Sequence, residues 1–144
     1  MITRFDHVTI AVTDVDAAVD FFALLGFEKV VSVRISGERM ASYMGVSGID
    51  AEHVTLALAG HEPRLEVQLL RFHSPELAPD PALTRLDRLG FNHICFAVTD
   101  LDAEIARLTS HGIKLRNDVM EFHDRKLVFV AGPEGSTIEL AQWL

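Results

Sequence analysis

Two histidines and two glutamates recur at matching places in this chain. His7 stands third in FDHVTIAV (5–12) and His93 third in FNHICFAV (91–98). Glu66 lies within RLEVQLL (64–70) and Glu139 within TIELAQW (137–143). A glutamate inside an apolar strand is costly unless it is paired, hydrogen-bonded or bound to a metal. Two imidazoles and two carboxylates suit a divalent transition metal such as Ni, Co, Mn, Fe or Zn. A lone strand histidine is more often a core residue than a ligand. The duplication of the pattern is what raises metal binding to a working reading.

The duplication extends beyond these four residues. Residues 5–26 and 91–112 align without a gap at an offset of 86 and share nine identities, among them His7/His93, Asp14/Asp100 and Gly26/Gly112. The closing segments RLEVQLL and TIELAQW also align, with Glu66 opposite Glu139. On that alignment His and Glu are 59 residues apart in the first copy and 46 in the second, so 13 extra residues are expected within 36–52. The chain reads as two tandem modules.

Each module must hold its histidine and glutamate on one surface. Residues 5–13 read as a strand, followed by a helix capped by Thr13 or Asp14 and closed by Gly26. Residues 27–36, 53–59 and 64–71 read as three further strands. The second copy repeats the plan: a strand at 91–98, a helix from about 101, and strands near 114–122, 126–131 and 137–143. The predicted fold is α+β, two βαβββ modules forming a curved mixed sheet around a shared cup. Module 1 spans about 1–72 and module 2 about 91–144. Residues 73–90 read as a Pro-containing linker with a short helix at ALTRLDRL. Strand alternation puts His7, Thr9 and Ala11 on one face and Val8, Ile10 and Val12 on the other. The same alternation groups His93 with Cys95, and Glu66 with Gln68.

Composition narrows the classes of function. The chain has 144 residues and a formal net charge of -8, which argues against a general binder of nucleic-acid backbones. No stretch reaches the ~20 apolar residues of a membrane helix. The single cysteine, Cys95, excludes an internal disulfide and fits a reducing cytoplasm. A cytoplasmic location is the expectation, since no signal-peptide pattern opens the sequence.

The opening pattern His-x-x-x-x-V-x-D-(L/V)-D-x-A and the closing G-P-E-G-S-x-I-E-L resemble the vicinal oxygen chelate superfamily, also called the glyoxalase/bleomycin resistance protein/dioxygenase family. Both copies match, so the resemblance covers nearly the whole chain. It implies paired βαβββ modules whose curved sheets cup a metal, a small-molecule substrate and a homodimer. Carried over position by position, it implies His7, Glu66, His93 and Glu139 as ligands, with Glu66 and Glu139 as candidate bases. A His/Glu/His/Glu set is similar to that of bacterial-type glyoxalase I, whereas related epimerases often have Gln where Glu66 stands. The implied activity is a metal-dependent isomerase or lyase acting on neighbouring oxygens through an enediolate or enolate. An extradiol-type dioxygenase and a metal-free small-molecule or antibiotic-binding protein are the alternatives. Thr9, Gln68 and Cys95 are substrate candidates by parity, Tyr43 by its place in the extra segment, and Arg125 by its place in a basic cluster with His123 and Lys126.

Overall fold

The computed structural model describes residues 1–144 and divides them into two compact units, Met1–Pro79 and Asp80–Leu144. The first contains β1 (His7–Ala11), α1 (Val15–Leu24), β2 (Phe27–Ser36), α2 (Glu38–Met44), β3 (Asp50–Leu58) and β4 (Glu66–Ser74). The second contains β5 (Ile94–Ala97), α3 (Leu101–Ser110), β6 (Met120–Phe122), β7 (Arg125–Ala131) and β8 (Thr137–Trp143). Their sheets have the orders β1-β4-β3-β2 and β5-β8-β7-β6. In each, the first strand pairs in parallel with the last, and the other pairings are antiparallel. Each unit is therefore a βαβββ module, as the repeat predicts. No helix is long and apolar enough to cross a membrane.

The shared motifs are the parts that build each module. Asp14 and Asp100 cap α1 and α3, accepting from the backbone N–H of Ala17 at 2.9 Å and of Ala103 at 3.0 Å. Each satisfies a donor that the first helical turn leaves free. Gly26 and Gly112 follow the helices at φ of 88° and 85°, a conformation that favours glycine. The apolar strand faces pack under the helices. Phe22, Val54, Leu56, Val67 and Leu69 are buried in the first unit, and Leu101, Leu108, Val128, Ile138 and Leu140 in the second. Phe22 meets Phe21 and Phe27 edge-on, at centroid distances of 5.2 and 5.7 Å.

The extra segment of the first module folds as α2, between Gly37 at φ 88° and Gly45 at φ 67°. Two sequence expectations change. The helix expected at ALTRLDRL does not form. The backbone N–H groups of Leu83 and Arg85 instead make turn bonds to the carbonyls of Asp80 and Ala82, at 3.1 and 2.9 Å. Side chains take two carbonyls that a helix would use: Arg116 donates to Thr84 at 2.6 Å and Asn92 to Leu86 at 2.5 Å. The strand expected near 114–122 reduces to β6 and an isolated bridge between Leu115 and Val130. There the Asn117 side chain accepts from the Phe129 N–H at 2.8 Å, replacing a ladder bond.

Candidate metal-binding half-sites

In the first unit, His7 lies opposite Glu66 and Thr9 opposite Gln68 across the parallel β1–β4 pair. Residues opposite each other in a sheet share a face. The antiparallel β3–β4 pair adds His53, Thr55 and Ala57 to that face, through their partners Leu70, Gln68 and Glu66. His7 donates from Nδ1 to Asp6 Oδ1 at 2.8 Å. This fixes the tautomer, so the lone pair of a neutral ring sits on Nε2. The hydrogen bond from His7 holds the exposed Asp6 carboxyl below its usual range.

A polar chain runs beside it. Arg64 pairs with Glu66 Oε1 at 2.7 Å, and Gln68 Nε2 donates to Glu66 Oε2 at 3.1 Å. That carboxylate sets the orientation of the Gln68 amide, because a reversed amide would place oxygen against oxygen. Gln68 Oε1 then accepts from His53 Nε2 at 3.0 Å and from Thr9 Oγ1 at 3.5 Å. His53, which from the sequence could face the site or cap an edge, lies on the site face. Its two-residue spacing from Thr55 and Ala57 on β3 is the signal that was available.

In the second unit, Cys95 lies opposite Glu139 across the parallel β5–β8 pair, and Phe129 lies opposite Glu139 on the other side. His93 donates from Nδ1 to Asn92 Oδ1 at 2.8 Å. Asp6–His7 and Asn92–His93 are thus the same arrangement in both copies. His93 Nε2 lies 3.2 Å from Glu139 Oε2, and its ring meets Phe129 edge-on at 5.1 Å. With Nδ1 donating, a neutral His93 would point a lone pair at the carboxylate, so this contact requires a proton or a cation between the two atoms. That requirement, with the N/O donor set, fits a divalent metal. The Cys95 thiol is pushed up to about 12 by burial and by its hydrogen bond to Glu139, with the Arg125 charge opposing.

The strand register corrects one alignment made from sequence. Val12 N–H donates to Leu70 O, and its repeat partner Val98 donates to Ala141 O, both at 2.8 Å. Leu70 therefore corresponds to Ala141, and Gln68 rather than Glu66 corresponds to Glu139. Glu66 corresponds to Thr137. The matched separations are 61 residues from His7 to Gln68 and 46 from His93 to Glu139. Each unit gathers a partial set: no three His, Cys, Asp or Glu side chains cluster at metal-binding distance. Tyr43 is 82% exposed on α2, and no contact ties it to the site face. Arg125 lies opposite Trp143, with its guanidinium 4.7 Å from the indole centroid.

A family model described as the Glyoxalase/Bleomycin resistance protein/Dioxygenase superfamily matches residues 6–142. A glyoxalase family protein from Bacillus cereus has a similar structure, with a TM-score of 0.89 and 28% identity, covering 100% of this chain and 96% of that one. Escherichia coli YaeR is 26% identical over 93% of this chain and 92% of its own length. Saccharomyces cerevisiae glyoxalase I is 39% identical over 35% of this chain, and the matched segment spans only 16% of that enzyme. FosX from Listeria monocytogenes, solved with Mn(II) and 1S,2S-dihydroxypropylphosphonic acid, shares the fold at a TM-score of 0.62 and 18% identity; it covers 100% of this chain and 95% of that one.

Proposed function

We propose that this chain, which belongs to the Glyoxalase/Bleomycin resistance protein/Dioxygenase superfamily, is a divalent-metal-dependent isomerase or lyase acting on a small substrate with neighbouring oxygens. The observation that carries the reading is the matched pair of half-sites. Each copy presents a histidine with Nδ1 held by the preceding side chain, together with an oxygen donor on its last strand.

The proposed donors are Nε2 of His7 and the Gln68 amide oxygen in the first unit, and Nε2 of His93 and a Glu139 carboxylate oxygen in the second. Gln68 takes the place first given to Glu66, because Gln68 is the register counterpart of Glu139. Glu66 is engaged by Arg64 and holds the Gln68 amide. A divalent ion held by such donors would keep net positive charge and would supply Lewis-acid polarisation of a substrate carbonyl. The chain's own part is to hold the proton acceptor. Glu139 is the proposed base for a carbon acid, with the Cys95 thiol hydrogen-bonded to its carboxylate. A homodimer, and one metal per chain, accompany this reading.

The test is metal analysis after reconstitution with Ni, Co, Mn or Zn, with solvent-deuterium exchange of small α-hydroxy carbonyl compounds followed by NMR. We expect about one ion per chain, lost in His93→Ala and Glu139→Ala, with exchange dependent on the ion. No stoichiometric uptake of any of the four metals would overturn the reading.

A further inference from the structure

We propose that Arg125, stacked on Trp143, is the oxyanion-recognition element of this site, and that the substrate is a small acid carrying a carboxylate or phosph(on)ate close to its chelating oxygens. The substrate class rests on the proposed function above; the oxyanion site itself rests on the second unit alone.

Arg125 opens β7 and Trp143 closes β8, opposite each other in the antiparallel pair. Both share the face of Phe129 and Glu139 by two-residue alternation. The guanidinium lies over the indole at 4.7 Å, which holds the planar fork in a fixed orientation. Its Nε is shielded from solvent and has no hydrogen-bond partner. The nearest carboxylate, Asp124, is 3.8 Å away, beyond hydrogen-bond reach. A buried N–H donor without an acceptor is uncommon, and the outer N–H groups of the same guanidinium, which hydrogen-bond to nothing in the protein, are the donors left for an anion.

The neighbouring cation is committed elsewhere. Lys126 points to the opposite face and donates to Asp102 at 3.2 Å. Along the strand, Trp143 is four residues from Glu139, about 13 Å between Cα atoms. Guanidinium recognises carboxylates and phosphates alike through paired N–H donors, so that oxyanion is the shared chemistry.

Trp143 is the only tryptophan in the chain and serves as the reporter. Metal-free and metal-loaded protein would be titrated with pyruvate, lactate, methylphosphonate, inorganic phosphate and neutral hydroxyacetone, reading indole fluorescence. We expect saturable change with the carboxylates or the phosphorus oxyanions, and none with hydroxyacetone in the metal-free protein. Whichever class saturates at lower concentration identifies the group. Arg125→Gln should raise the dissociation constant at least tenfold, Arg125→Lys less, and Lys126→Gln should leave it unchanged. Thermal melting checks that the variants fold, and Arg125→Lys carries the test if Arg125→Gln does not. No saturation with either class, or wild-type binding by the Arg125 variants, would overturn the proposal. Oxyanion binding by a protein that takes up no metal would overturn the metal reading and leave Arg125 as the site of an anion-binding protein.

Discussion

Gln68 stands opposite Thr9 in the first unit just as Glu139 stands opposite Cys95 in the second. The two copies thus carry an amide and a carboxylate at one station. An amide oxygen contributes no charge, while a carboxylate also takes up a proton. On the proposed function, this asymmetry puts the base in the second copy.

That assignment separates Gln68 from Glu66. An outer partner of a metal ligand costs about 10–100-fold in affinity when removed. Glu66→Ala should fall in that range, because Glu66 orients the Gln68 amide from 3.1 Å. Gln68→Ala should exceed it. Competition against a chelator of known affinity measures both, and the opposite ranking would restore Glu66 as the ligand.

Asp6 and Asn92 act at the equivalent step in the two copies. Both accept the Nδ1 proton of the following histidine at 2.8 Å. Asp6→Ala and Asn92→Ala should each weaken metal binding by about 10–100-fold, while Asp6→Asn keeps most of the affinity. Calorimetric titration with Zn or Co reads the differences directly.

Cys95 should be a slow thiol. Only the thiolate reacts, and with its pKa raised to about 12 the thiol stays protonated through pH 8. Its alkylation by iodoacetamide at pH 8 should be far slower than that of free cysteine. Glu139→Gln, which removes the adjacent negative charge, should speed it. The sign for stability follows from the same shift. The unfolded thiol ionises near pH 9 and the folded one near 12, so the unfolded state loses its proton first. Cys95 therefore lowers stability progressively as the pH rises from about 9 to about 12. Cys95→Ser melting curves across that window would flatten if this is correct.

The helix caps offer a stability test independent of the metal. Asp14→Ala and Asp100→Ala should each cost about 1 kcal/mol, and, lying in separate units, they should add. Phe22→Ala, which empties a fully buried position, should cost about 3–5 kcal/mol. Urea denaturation of metal-free protein measures all three.

Much of this architecture is legible in the sequence. The nine repeat identities include both helix caps and the glycine that follows each helix, because these positions have narrow backbone requirements. β2 and β8 are read to their ends, 27–36 and 137–143. The β4 register is not legible, for a specific reason. Strand side chains alternate with a period of two, so a slip of two residues keeps every residue on its proper face. RLEVQLL thus offers Glu66 and Gln68 equally to the counterpart of Glu139. The strand registers, with the backbone bonds from Val12 to Leu70 and from Val98 to Ala141, decide between them. ALTRLDRL is misread for another reason: its carbonyls are claimed by Arg116 and Asn92, which are distant in local pattern. His53 stays open between the site face and an edge in the sequence, because its role depends on the cross-strand neighbour Gln68.

The parallel pairing of first strand with last has an evolutionary corollary. In each copy the chemistry-bearing side chains stand at the two chain ends of the module, clasped side by side, while everything threaded between them is free to grow. The first copy carries α2 between β2 and β3, where the second has no helix, and His7 still stands beside β4. A gene built this way can acquire new segments mid-module by insertion, altering what approaches the clasp without resetting the clasp itself.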